Sequence, residues 1–134
     1  MDSGLVKEFL RQQRFAVVGS FRNETKVAYK IFTSLTAKGY EVYPVNPGMR
    51  EVAGRTCYRS ITDLPSAVDV VNIVTPPAVT EGILKECLQK GITRAWLQPG
   101  AESPAGVQFC SDNNMSVIHG MCVMLESLTR EELR

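Results

Sequence analysis

The chain has 134 residues, 44% of them hydrophobic, with 15 basic and 14 acidic side chains and a net charge of +1. That length suits one domain with a substantial core, and that hydrophobicity excludes a disordered chain. The balanced charge offers no broad basic face to nucleic acid or an anionic membrane, so any cationic site is local.

The N-terminal MDSGLVKEFLRQQ is acidic first and then amphipathic, without the apolar core of a signal peptide. Ser3 is placed to cap a first helix with Leu5, Val6, Phe9 and Leu10 as its stripe. FAVV (15–18) is continuously apolar, like a strand covered on both faces. Val27, Ile31 and Leu35 recur at helical spacing, and Gly39 is a natural stop. YEVYPV (40–45) reads as a second strand with Pro44 near its end, where no ladder donor is needed. NPG follows as a turn, and RTCY (55–58) reads as a short edge strand.

VDVVNIV (68–74) is the clearest strand. Pro76 and Pro77 open a helix with Val79, Ile83, Cys87 and Leu88 as its expected buried stripe, closed by Gly91. RAWLQ (94–98) is another strand. Ser103 and Pro104 supply an N-cap and a first helical residue, and MSVIH (115–119) is the last strand. Residues 124–133 read as helical. No run reaches the length of a membrane span, and the chain is expected to be cytoplasmic. Four scattered cysteines and one histidine read as free thiols and disfavour zinc.

Alternating strands and helices predict an α/β fold with a doubly wound parallel sheet. The strand order 3-2-1-4-5-6 sets strand one beside strand four, and ligands bind beyond the carboxyl ends of strands at that switch point. The loops VVGS and NIVTPP are therefore expected to face each other across one crevice.

The first of these loops carries one glycine, Gly19, and lacks the second and third glycines of the dinucleotide fingerprint. Ser20, Arg22, Asn23, Thr25 and Lys26 follow, just before a helix whose start presents free N–H groups, a combination that suits an anion. From this loop alone, an ordinary strand-to-helix turn is the better reading. The end of the second strand carries Asn46 and Pro47 in place of the acid that holds the ribose of NAD, which disfavours NAD. The Val74–Thr75–Pro76–Pro77 junction forms an apolar wall with few donors, and Gln98 is expected to project at the edge of the sheet.

VVGSFRNETKVAY, YPVNP, VDVVNIVTPP and WLQPG together resemble the CoA-binding domain family of small single-domain proteins. That family is similar to the CoA-binding domain of the succinyl-CoA synthetase alpha subunit. The resemblance covers nearly the whole chain. It implies a single Rossmann-type domain over 1–134, three layers in αβα order, holding coenzyme A or an acyl-CoA in the crevice. Carried over residue by residue, Gly19 and Ser20 match the first loop, Lys26 its basic residue and Tyr29 its aromatic. Val45, Asn46 and Pro47 match the VNP segment expected near the adenosine. Pro76 and Pro77 match the double proline, and Gln98 and Gly100 match the WLQ-x-G segment. Thr75 stands where many relatives have Arg, Ala28 where Ser is common, and Gly48-Met49 where a basic residue usually follows VNP. The cations left for the phosphates of CoA are Lys26, Arg22, Arg50 and Arg55, with Lys26 foremost.

The sequence offers no pairing of His119 with an acid or nucleophile, and Cys122 reads as a small packed residue. The resulting expectation is a non-catalytic binder of a small nucleotide ligand, with no metal, no nucleic acid and no membrane partner, and with self-association left open. The alternatives are an enzyme fragment, CoA-ligase-like or NAD(P)-linked, that needs a partner chain, and an interaction protein with a degenerate pocket.

Overall fold

The computed structural model describes residues 3–65 and 67–127. Five parallel strands form the main sheet: β1 Arg14–Val18, β2 Glu41–Val45, β5 Val70–Ile73, β6 Arg94–Leu97 and β7 Ser116–His119. Their spatial order is β2-β1-β5-β6-β7. A separate antiparallel pair, β3 Glu51–Val52 and β4 Arg55–Thr56, turns at Ala53 and Gly54, both at positive φ. The helices are α1 Ser3–Leu10, α2 Val27–Ala37, α3 Pro77–Lys90, α4 Pro104–Asp112 and α5 Val123–Glu126. Ser3 begins α1 itself, and a capping role for its side chain lies outside what is described, as does the predicted helix beyond residue 127.

RTCY departs from its expected place. Only Arg55–Thr56 is a strand, and it pairs outside the main sheet. The third-strand position survives as one parallel bridge between Tyr58 and Val45. Tyr58 N–H donates to the Pro44 carbonyl at 3.0 Å, and Asn46 N–H donates to the Tyr58 carbonyl at 2.8 Å. The missing N–H of Pro44 therefore faces outward, where β1 does not need it. With Tyr58 counted, the order is the predicted 3-2-1-4-5-6 with its third strand cut to a single rung.

Side-chain alternation splits the core between the two sheet faces. Phe15 and Val17 of β1 join Phe9, Ile31, Leu35, Trp96 and Ile118 under α1, α2 and α5. Ala16 and Val18 join Val71, Ile73, Leu84, Cys87 and Cys110 under α3 and α4. This is a three-layer, doubly wound α/β fold. The capping signals act where they were read. Ser103 Oγ accepts the Gly106 N–H at 2.9 Å, Pro77 opens α3, and Gly39 and Gly91 close their helices at φ 98° and 81°.

The phase of two helices differs from the expected stripes. Val27, Val79 and Leu88 are 47%, 51% and 39% exposed, while Thr80 and Leu84 are buried. Thr80 tolerates burial because its hydroxyl lies 2.8 Å from that of Thr75 and donates to the Pro76 carbonyl at 3.2 Å. No helix among the described residues is long and apolar enough to cross a membrane.

Candidate functional site

The carboxyl ends of β1, β2 and β5 are tied together past the strands themselves. Gly19 N–H donates to the Val45 carbonyl and Val74 N–H to the Val18 carbonyl, at 3.3 and 2.8 Å. A Cβ on Gly19 would lie 2.8 Å from Ala28 Cβ and 2.9 Å from the Val74 carbonyl oxygen. The glycine is thus required by the close approach of α2 and β5, not by a left-handed turn. That same contact fits the small Ala28, which is buried.

Asn46 ties the first loop to the second. Its Nδ2 donates to the Gly19 carbonyl at 2.6 Å, and its Oδ1 accepts the Gly48 N–H at 2.7 Å. The amide that was expected to serve an adenosine is largely committed to holding the two loops in register. A strap from Tyr58 through a 3₁₀ turn at Ile61–Asp63 closes the far wall. Ile61 N–H donates to Glu86 Oε1 at 3.1 Å, and Lys90 Nζ donates to the carbonyls of Thr62 and Leu64 at 3.0 and 2.8 Å.

These elements enclose a crevice of about 470 Å³ at the switch point, a size typical of small-ligand sites. Of the residues read from the sequence, Gly19, Ser20, Val45, Asn46, Pro47, Thr75 and Pro76 meet in its lining. Val18, Val74, Val79, Ile61 and Ile83 make its walls largely apolar, with Arg59, Ser60 and Glu86 as polar additions. The two loops singled out by topology do border one cavity.

The other expected residues lie elsewhere. Gln98 is 3% exposed rather than projecting. Its Oε1 accepts Val123 N–H at 2.9 Å and Asn72 Nδ2 at 3.2 Å, and its Nε2 donates to Cys122 Sγ at 3.2 Å. Gln98 and Gly100 border a separate recess of about 280 Å³ beyond the Thr75–Pro76 ridge. Arg22 lines a depression with Phe21, Gly48 and Met49 that adjoins the crevice through Ser20 and Asn46. Tyr29 packs on the core, Pro77 is the exposed first residue of α3, and Lys26 is the N-cap of α2; none of the three lines the crevice. Arg55 sits 5.5 Å from the Tyr43 ring centroid.

Sequence reading missed Arg59. The available signal was its place directly after the third-strand position, since such folds carry their ligand contacts on loops that follow strands. The cysteines are free, with Cys57, Cys87 and Cys110 buried and Cys122 partly exposed. Burial pushes the Cys87 thiol up to about 12, and raises those of Cys57 and Cys110.

A doubly wound sheet with a built crevice at its switch point defines a Rossmann-type domain. The sequence matches the CoA binding domain over residues 13–127, and the chain belongs to that family. It is 34% identical over 91 residues to an ADP-forming acetate–CoA ligase of Methanocaldococcus jannaschii, covering 68% of this chain and 13% of the ligase. The chain thus spans only a small part of that relative. Among solved structures it is similar to a conserved hypothetical protein of Pyrococcus furiosus, at 39% identity and a TM-score of 0.83, over 87% of this chain and 100% of that one. A hypothetical protein of Pyrococcus horikoshii superposes with a TM-score of 0.89 at 30% identity, over 99% of this chain and 92% of that one.

Proposed function

We propose that this chain binds coenzyme A or an acyl-CoA in the switch-point crevice and performs no chemistry on it by itself. The observation that carries this reading is the crevice of about 470 Å³ formed by the Gly19, Asn46 and Thr75 loops in a chain of the CoA binding family. Its apolar walls at Val74, Pro76, Val79 and Ile83 suit the faces of an adenine ring. Its rim carries Arg59 and Ser60 for polar groups of the ligand. No side chain caps α2 at Lys26, which leaves the positive end of that helix to a pyrophosphate that extends past the Gly19–Ser20 wall of the crevice. The end of β2 bears Asn46-Pro47 rather than a carboxylate for the ribose hydroxyls, which argues against NAD. His119 ends β7 away from the crevice lining, and among the described residues no acid bonds its ring. That arrangement supports binding over catalysis.

A thermal-shift series with CoA, acetyl-CoA, NAD, NADP and ATP tests this reading. CoA or acetyl-CoA gives the largest rise in melting temperature. A larger rise with NAD or NADP favours a redox enzyme, and no rise with any of the five favours a degenerate pocket.

A second reading is supported by the match to 13% of an acetate–CoA ligase: the chain is the CoA-holding piece of a ligase completed by another polypeptide. ADP-forming ligase activity appearing on addition of a second purified chain from the same cell, and absent from either chain alone, supports it.

A further inference from the structure

We infer that a small recess beside the crevice is a phosphate subsite, and that Arg59 sets a preference for a ligand phosphorylated on its adenosine ribose. The inference deepens the CoA reading and rests on it. The recess measures about 190 Å³ and is lined by Pro47, Gly48, Met49, Arg50 and Arg59. Pro47 and Arg59 line the main crevice as well, so the two spaces adjoin. Two arginines and no acidic residue line the recess.

Among the described residues neither Arg50 nor Arg59 takes part in an ion pair, so the protein does not neutralise them. Like charges gathered at one recess repel each other, and an anion there relieves that repulsion. The Gly48 N–H already serves Asn46, so the arginines are the charged donors available to an anion there. A guanidinium meets phosphate with paired N–H groups, which gives both strength and orientation.

The backbone around Arg59 is fixed before any ligand arrives. Tyr58, just before it, is bonded to β2 in both directions, and Ile61, just after Ser60, is held by Glu86. A preorganised anchor loses less entropy on binding than a mobile one. Of the other candidate cations, Lys26 and Arg22 do not line the recess, Arg22 bordering the neighbouring depression, and Arg55 lies against Tyr43. The turn after Pro47 supplies Gly48 and Met49, so the strap brings the charge that this turn lacks. A ribose at the Asn46–Pro47 rim stands beside the recess, where its 3′-phosphate would meet Arg59 and Arg50.

Isothermal titration of the full chain with CoA and with dephospho-CoA, which differ only in that phosphate, tests the inference. The unaltered chain binds CoA about tenfold or more tighter than dephospho-CoA. Arg59→Ala loses about tenfold in CoA affinity and markedly less in dephospho-CoA affinity, because Arg59 also borders the main crevice, while Arg59→Lys falls between. Arg59 is exposed, and the melting temperature of each unliganded variant checks that the fold is kept. Equal affinity of the unaltered chain for the two ligands overturns the phosphate subsite and leaves the CoA reading standing. An Arg59→Ala loss of the same size for both ligands also overturns it. Failure of the unaltered chain to bind either ligand removes the CoA reading and this inference together.

Discussion

Asn46 Nδ2 and the Gly19 carbonyl oxygen meet at 2.6 Å, so the loop after β2 holds the loop after β1 through one side-chain amide. Asn46→Asp keeps the acceptor for Gly48 N–H but sets a carboxylate against a carbonyl. It is expected to cost about 1–3 kcal/mol of stability and to weaken CoA binding as well. Urea denaturation and titration measure the two effects, and an unchanged unfolding midpoint would remove Asn46 from this role.

Gly19→Ala is expected to destabilise the chain by about 1–3 kcal/mol through overpacking. Adding Ala28→Gly relieves only part of the loss, because the Val74 carbonyl, 2.9 Å from the new Cβ, is backbone and cannot step aside. Full rescue by Ala28→Gly in thermal denaturation would show the strain to lie with the side chain alone.

Val79 is 51% exposed and stands in the crevice wall. Val79→Trp fills the cavity from the surface of α3. Its expected effect on stability is within about 0.5 kcal/mol, whereas CoA binding is abolished. Retained affinity would move the ligand elsewhere.

Gln98 and Asn72 predict opposite outcomes. Gln98→Leu strips an acceptor from Val123 N–H and Asn72 and is expected to cost about 1–3 kcal/mol. Asn72 is fully buried and its Oδ1 has no hydrogen-bond partner among the described residues. Asn72→Val removes that unpaired oxygen and gives up one donor to Gln98 Oε1, which keeps Val123 N–H, so it is expected to be neutral or stabilising. A loss above about 1 kcal/mol for Asn72→Val would mean that its oxygen is bonded, a buried water being the natural partner.

The thiols give a labelling prediction. Cys122 is the partly exposed one and reacts first with a disulfide reagent, while Cys57, Cys87 and Cys110 wait for unfolding. Burial holds the Cys87 proton up to about 12, against 9.0 for an exposed thiol. The unfolded chain releases that proton first, so this residue's contribution is fully present below pH 9 and declines as pH rises toward about 12. More than one fast-reacting thiol at neutral pH would contradict this burial pattern.

The strands were legible because FAVV and VVNI are unbroken apolar runs, as buried parallel strands must be. Ser103, Gly39 and Gly91 were legible because caps are local chemistry. Helix phase was not. A threonine is buried in α3 ahead of Val79 because Thr75 and Pro76 satisfy its hydroxyl, an outcome that periodicity does not register. Arg59 was equally hidden. Its position depends on a one-rung bridge to β2 and on Glu86 and Lys90 of α3, which lie 25 and 26 residues beyond their strap partners Ile61 and Leu64. Gln98 read as a site residue because it follows a strand, but its partners Val123 and Cys122 come from a segment 24–25 residues on.

The Tyr58 rung has a consequence for how the molecule behaves in a crowd. An outermost strand with open peptide groups is a template on which a foreign strand can add. At Pro44 that template has no N–H, and its carbonyl is already taken by Tyr58. The period of two leaves Val42 as the other outward peptide of β2. One rung is too short to recruit a neighbour, so the residue that frames the crevice also guards the β2 edge of the sheet against a foreign strand.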